Sequence, residues 1–186
     1  MVSYFSVKEF STMGLFALLS SLINFTFPIK HITEIFNIPG PASGMCIFGG
    51  IIFVFWICLA HRIIKKRYSA ILTSVFISAF CLFFSPWYGV VSPYWFGIFG
   101  VIALVAIGIS VESIRYPING GIGNMLALSL TWIALAKYAK VYPPSSLIPL
   151  LLVVSFLSGC LGAYLSLKFG QLLPSEDGSL LSEELK

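Results

Sequence analysis

Six long apolar runs, broken only by short polar stretches, take up nearly the whole of this 186-residue chain. A helix that crosses the roughly 30 Å hydrocarbon layer of a bilayer needs about 20 mostly apolar residues. The runs have that length and lie at about Val7–Phe27, Gly44–Ala60, Ser69–Ser85, Tyr94–Val111, Ile122–Val141 and Leu147–Leu172. They are apolar on every face, which argues against the alternating strands of a membrane barrel. Helices, whose backbone groups are satisfied within the segment, are the remaining way across.

Charge leads to the same place. Only 10% of the residues are charged and 58% are hydrophobic, whereas a soluble domain draws about a quarter of its residues from Asp, Glu, Lys and Arg. The chain cannot furnish a water-facing exterior. The expected fold is an all-α integral membrane protein, a bundle of six transmembrane helices over residues 1–173. Residues 174–186 form a short polar tail that carries Glu176, Asp177, Glu183 and Glu184. The apolar stretch Phe10–Phe27 follows Lys8, exceeds the length of a signal-peptide core and lacks a clear A-x-A site, so it reads as a retained helix.

Sidedness follows from one cluster. His61-Arg62-Ile63-Ile64-Lys65-Lys66-Arg67 packs four of the eleven Lys and Arg into seven residues between two apolar runs. Such a cluster is costly to translocate and marks the cytoplasmic side. Alternation then puts both termini in the cytoplasm and the protein in the cell membrane as a multi-pass chain. Lys8, Arg62, Lys65, Lys66, Arg67, Arg115, Lys168 and Lys186 fall inside, and Lys30, Lys137 and Lys140 outside. Eight against three obeys the positive-inside rule. A single basic clump is not the broad basic face that nucleic acid needs.

Within the runs, small residues recur at helix-contact spacing. Ala17 and Ser21 share a face of the first helix, suited either to the chain's own bundle or to a partner subunit. The last helix carries two ladders, Ser155/Gly159/Ala163 and Ser158/Gly162/Ser166, and should be buried against its neighbours. Asn119-Gly120-Gly121 reads as a turn. Glu112 and Arg115, three apart, would pair if the helix reaches them.

Chemistry that catalysis would need is missing from the runs. Glu9, Glu34 and Glu112 stand at ends or in loops, and His31 and His61 fall on opposite sides. The chain has no phosphate-binding Walker pattern, and Cys46, Cys58, Cys81 and Cys160 show no metal or redox spacing. The expectation is a protein that is not an enzyme and needs no cofactor. The outer side, by contrast, gathers the polar segment Ile29–Ser43, the aromatics Trp87, Tyr88, Tyr94 and Trp95, and Lys137 with Tyr138.

Under 200 residues, six spans, cytoplasmic ends and a long outer loop after the first helix resemble the substrate-binding S component of an energy-coupling factor (ECF) vitamin transporter. In that family an Ala-x-x-x-Ala face of the first helix docks on a transmembrane coupling subunit. Here the matching stretch is Ala17-Leu18-Leu19-Ser20-Ser21. The resemblance implies capture of a vitamin-like small molecule from outside, with transport driven by the coupling subunit and two cytoplasmic ATPases. By position it implies Trp95 for stacking, Lys137 and Glu34 for charge pairing, and His31, Trp132 and Tyr138 for orientation, with Ala17 and Ser21 meeting the partner. The other reading from the residues is a membrane assembly or scaffold protein, with the aromatics as an interfacial belt and Lys137 snorkelling among lipid headgroups.

Overall fold

A computed structural model describes residues 4–35, 42–84 and 97–172. Among these the chain is helical, with no strand. Helix α1, Val7–Thr26, starts at a capping box. Ser6 Oγ accepts the Glu9 N–H at 3.2 Å and Glu9 Oε2 accepts the Ser6 N–H at 2.7 Å, so two otherwise orphaned donors are satisfied reciprocally. After Pro28 comes a short helix, α2, Ile29–Ile35. The others are α3 Ser43–Ile64, α4 Ser69–Phe84, α5 Gly97–Ser113, α6 Ile118–Ala139 and α7 Ile148–Leu172.

A helix thus stands at each of the six expected positions. Three of them, α3, α6 and α7, with 22, 22 and 25 residues, are long and apolar enough to cross a membrane. At about 1.5 Å per residue the shortest of these measures roughly 33 Å, enough for the hydrocarbon layer. Helices α4 and α5, with 16 and 17 residues, are apolar but shorter. The segment Ile29–Ser43, read from sequence as a polar outer stretch, is in part the helix α2. Its residues 36–41, and the aromatic loop with Trp87, Tyr88, Tyr94 and Trp95, lie outside the described residues.

Contacts fix the direction of each helix. Lys66 reaches the Tyr4 carbonyl, Glu112 reaches the Ala70 N–H, Arg62 lies over Tyr116, and Phe169 packs on Phe55. The starts of α1, α4 and α6 therefore meet the ends of α3, α5 and α7 at one end, called here the basic end. Helix α3 occupies the middle, against α1, α4 and α7, with Phe53, Ile57 and Leu59 fully buried.

Helix α3 is not uniform. Over Gly50–Val54 it widens to a π turn, in which the Phe55 N–H bonds to the Gly50 carbonyl. A π turn leaves backbone groups over, and in an apolar interior each of them needs a partner. Neighbouring helices provide them. Ser20 of α1 donates to the Ile52 carbonyl at 2.5 Å, Ser158 of α7 donates to the Ile47 carbonyl at 2.6 Å, and the Gly50 N–H donates to Ser158 Oγ at 3.2 Å.

The same region explains its glycines. A Cβ on Gly50 would collide with the Ser158 carbonyl, one on Gly162 with the Gly50 carbonyl, and one on Gly159 with the Gly120 carbonyl. Backbones of α3, α6 and α7 touch along this seam, which only hydrogen-sized side chains allow. Asn119, Gly120 and Gly121 are accordingly no turn. They form the start of α6, and all three are buried. The small-residue ladders of α7 lie on its contact face, with Ser155, Ala163 and Ser166 each 0% exposed and Ser158 part-buried, while the helix is open on its other side at Val153, Leu157 and Leu161.

Gly50→Ala should lower stability by about 1–3 kcal/mol through overpacking. Gly14→Ala, where an added Cβ meets nothing within 4 Å, should be neutral or gain up to about 1 kcal/mol in helix propensity. Thermal unfolding of both variants in one mild detergent checks the pair. Equal responses would contradict the seam.

Candidate functional site

Three groups of polar side chains stand out from the apolar background. The first lies at the end away from the basic cluster. Helix α6 closes there in a second π turn, Leu135–Ala139, and Lys140 follows in the left-handed conformation at φ 57°. This turn carries two of the expected binding residues. The Lys137 ammonium stands 5.5 Å from the Tyr138 ring centre, and Tyr138 meets Phe99 of α5 edge-on at 5.4 Å. Both Lys137 and Tyr138 are exposed, and no carboxylate among the described residues lies within ion-pair distance of Lys137.

The other expected residues are placed differently. His31 and Glu34 are exposed on α2, which packs on α3 through its buried Thr33 side. Trp132 is 8% exposed and belongs to the core, one and a half turns before Lys137 on α6. Trp95 lies outside the described residues. Ala17 and Ser21, at 0% and 1% exposure, are covered by this chain itself, and the Ser21 hydroxyl bonds to the Ala17 carbonyl and reaches the Ile77 carbonyl of α4 at 3.3 Å. Of the two uses read for that face, the structure realises the intrachain one. The face that α1 leaves open carries Leu15, Leu22 and Phe25.

A second group sits inside the bundle. Asn124 of α6 is 0% exposed, and its amide donates to the Ser155 carbonyl at 2.9 Å, to Ser155 Oγ at 3.0 Å and, more weakly, to the Met45 carbonyl at 3.4 Å. Its Oδ1 has no hydrogen-bond partner and rests against Gly49, where a side chain would collide with it. One amide therefore ties α6 to both α3 and α7. Its place inside a run was legible in the sequence; its partners were not, since they lie 31 and 79 residues away.

The third group lies at the basic end. Lys66 forms an ion pair with Glu9 at 2.8 Å. That ammonium, with the Ser6 N–H second, holds the Glu9 carboxyl below the usual carboxylate range. Ser69 spends its hydroxyl proton on the Lys66 carbonyl at 2.7 Å, so His61 Nδ1, 2.8 Å from Ser69 Oγ, must carry the proton it shares. Glu112 Oε1 is 3.5 Å from the same nitrogen and accepts the Ala70 N–H at 2.9 Å. A carboxylate at the first turn of α4 complements its dipole. Glu112 thus serves the neighbouring helix and His61, and not Arg115 as its spacing suggests. Arg62 stacks on the Tyr116 ring at 4.3 Å, and burial pushes the Tyr116 phenol above its ordinary range while the Arg62 cation opposes this. Among the described residues no group of three or more His, Cys, Asp or Glu is arranged to hold a metal.

The Glu9–Lys66 pair has a defined pH signature. A lowered carboxyl stabilises the fold above the ordinary carboxylate pKa, and the contribution is lost as pH falls through the lowered value. In Lys66→Gln the Glu9 titration, followed by carboxyl NMR, should move up toward the ordinary value. An unmoved midpoint would mean that Lys66 is not its main partner. Asn124→Ala should cost about 1 kcal/mol in detergent unfolding, the scale of buried polar contacts between membrane helices.

The chain matches no protein-family model, no curated protein and no solved structure.

Proposed function

We propose that this chain is a multi-pass cell-membrane protein of six spans that captures a vitamin-like small molecule at the end opposite its basic cluster. On this reading both termini are cytoplasmic. A transmembrane coupling subunit and cytoplasmic ATPases, supplied by other chains, drive uptake, and the chain itself is not an enzyme. The observation that carries the proposal is the close of α6. An exposed ammonium, with no acidic partner among the described residues, is held beside an aromatic pair, Tyr138 and Phe99, from two helices. A cation next to ring faces and edges suits a flat heterocycle that bears an anionic or strongly polar group.

The seam at α3, α6 and α7 also supports a binding module over a conducting one. Backbones in contact along that seam leave no room for a solute to pass between these three helices. With Ala17 and Ser21 turned inward, a coupling subunit that docks on α1 would meet Leu15, Leu22 and Phe25. His31 and Glu34, exposed on α2, remain candidates for the mouth of the site, and Trp132 would act from behind Lys137.

A second reading, a scaffold that binds a membrane partner and no solute, is favoured by the burial of Trp132 in the core and by the broad apolar face of α7. The two separate in one experiment. Native mass spectrometry of the gently purified chain, expressed with candidate vitamins, should find a bound small molecule. Lys137→Ala and Tyr138→Ala should each weaken its retention by roughly tenfold, the loss of about 1.4 kcal/mol of binding. No small molecule in any preparation, together with a co-purifying membrane protein, would overturn capture in favour of the scaffold.

A further inference from the structure

The three helices joined at the glycine seam also converge at the basic end, and there they gather cations. Arg62 leaves the last turn of α3, Arg115 precedes α6, and Lys168 lies on the penultimate turn of α7. Helices α3 and α7 descend side by side: Phe169 contacts Phe55 at 5.9 Å, and Gly170 lies beside Leu59. Each of two cations is backed by a tyrosine. The Arg62 guanidinium carbon is 4.3 Å from the Tyr116 ring centre, and Lys168 Nζ is 5.7 Å from that of Tyr164. Ala163, the neighbour of Tyr164, lies against Gly120, one turn after Tyr116, so the two tyrosines stand on facing stretches of α7 and the entry to α6.

Among the described residues none of these three cations has a carboxylate within ion-pair distance. The acids described at this end, Glu9 and Glu112, are committed to Lys66 and Ser6 and to His61 and the Ala70 N–H. Like charges gathered at one end of a bundle repel one another, and an anion bound there would relieve that. A guanidinium with Tyr116 at its face engages the ring without using its N–H edges, and those edges are the fork that grips phosphate oxygens. Beside the cations α7 is apolar and open. Leu157, Leu161, Tyr164 and Leu165 are 59%, 48%, 47% and 37% exposed, one strip that leads from the bundle's middle to Lys168. Phosphate-binding donors above an apolar strip match a lipid, headgroup and chain together, better than a soluble anion.

We propose that Arg62, Arg115 and Lys168, with Tyr116 and Tyr164, form a binding site for one anionic phospholipid, its phosphate held by the cations and an acyl chain lying along α7. The site requires only that the basic end lie at a membrane surface. It is independent of solute capture at the other end, so either can fail alone.

The test is native mass spectrometry of the full chain released from phosphatidylcholine vesicles that contain phosphatidylglycerol. The wild type should retain phosphatidylglycerol selectively. Arg62→Gln and Lys168→Gln should each weaken retention about fivefold, the equivalent of about 1 kcal/mol per interfacial cation. Lys168→Arg should restore it. The control Lys65→Gln/Arg67→Gln removes two exposed charges from the neighbouring loop and should leave retention unchanged. Lys168 is exposed, so its variants report even where Arg62→Gln fails to fold. Equal losses in the control would reduce the site to diffuse charge, displacement by inorganic phosphate would make it a soluble-anion site, and equal retention of phosphatidylcholine would remove the headgroup altogether. Any of the three overturns the proposal.

Discussion

Inside an apolar bundle every backbone N–H and carbonyl must find a partner within the protein, and helix α3 departs from regularity where that demand is hardest to meet. Its π turn at Gly50–Val54 shifts the bonding pattern, and hydroxyls from two flanking helices take up what is left: Ser20 from α1 and Ser158 from α7. Much of the arrangement depends on those bonds. They require α1 and α7 to lie close to α3, which requires glycine at Gly50 and Gly162. The close approach in turn brings Asn124 of α6 within reach of carbonyls on both partners. A local irregularity in one helix and the tight packing of three are one physical fact.

Helix positions were legible because apolar run length is a strong signal in a chain this poor in charge. The bounds of α4 and α7 agree with the runs at Ser69–Ser85 and Leu147–Leu172 to within about a residue. What the sequence conceals is the use of its polar and small residues. Asn119-Gly120-Gly121 has the composition of a turn, yet Gly120 is a helical contact point, because glycine serves tight turns and tight helix crossings equally. Glu112 stands three residues before Arg115, the spacing of a helical ion pair. Helix α5 ends at Ser113, however, and Glu112 is drawn to the first turn of α4, where a free N–H and the helix dipole both attract it. Spacing along one helix cannot report a competitor 42 residues away.

The expected binding set divides on similar lines. Lys137 and Tyr138 were placed by simple alternation and do share one turn, beside an aromatic neighbour that the sequence did not suggest. Trp132, grouped with them by position, is buried in the core on α6. Ala17 and Ser21 illustrate the limit of small-residue patterns. The pattern identifies a contact face, and only the fold decides whether the contact is with the same chain.

The bonds that hold the π turn have a temporal consequence. Gly50 and Ser158 are 108 residues apart, and Cys46 bonds to the Leu151 carbonyl across 105. During synthesis α3 is made long before α7 exists, so the groups that Ser158 engages have no such partner until the last described helix is made. An unsatisfied backbone group in lipid costs several kcal/mol. A regular α-helix would bond those groups within itself, whereas the widened turn needs α7 beside it, and the shape of α3 is in that sense written by α7.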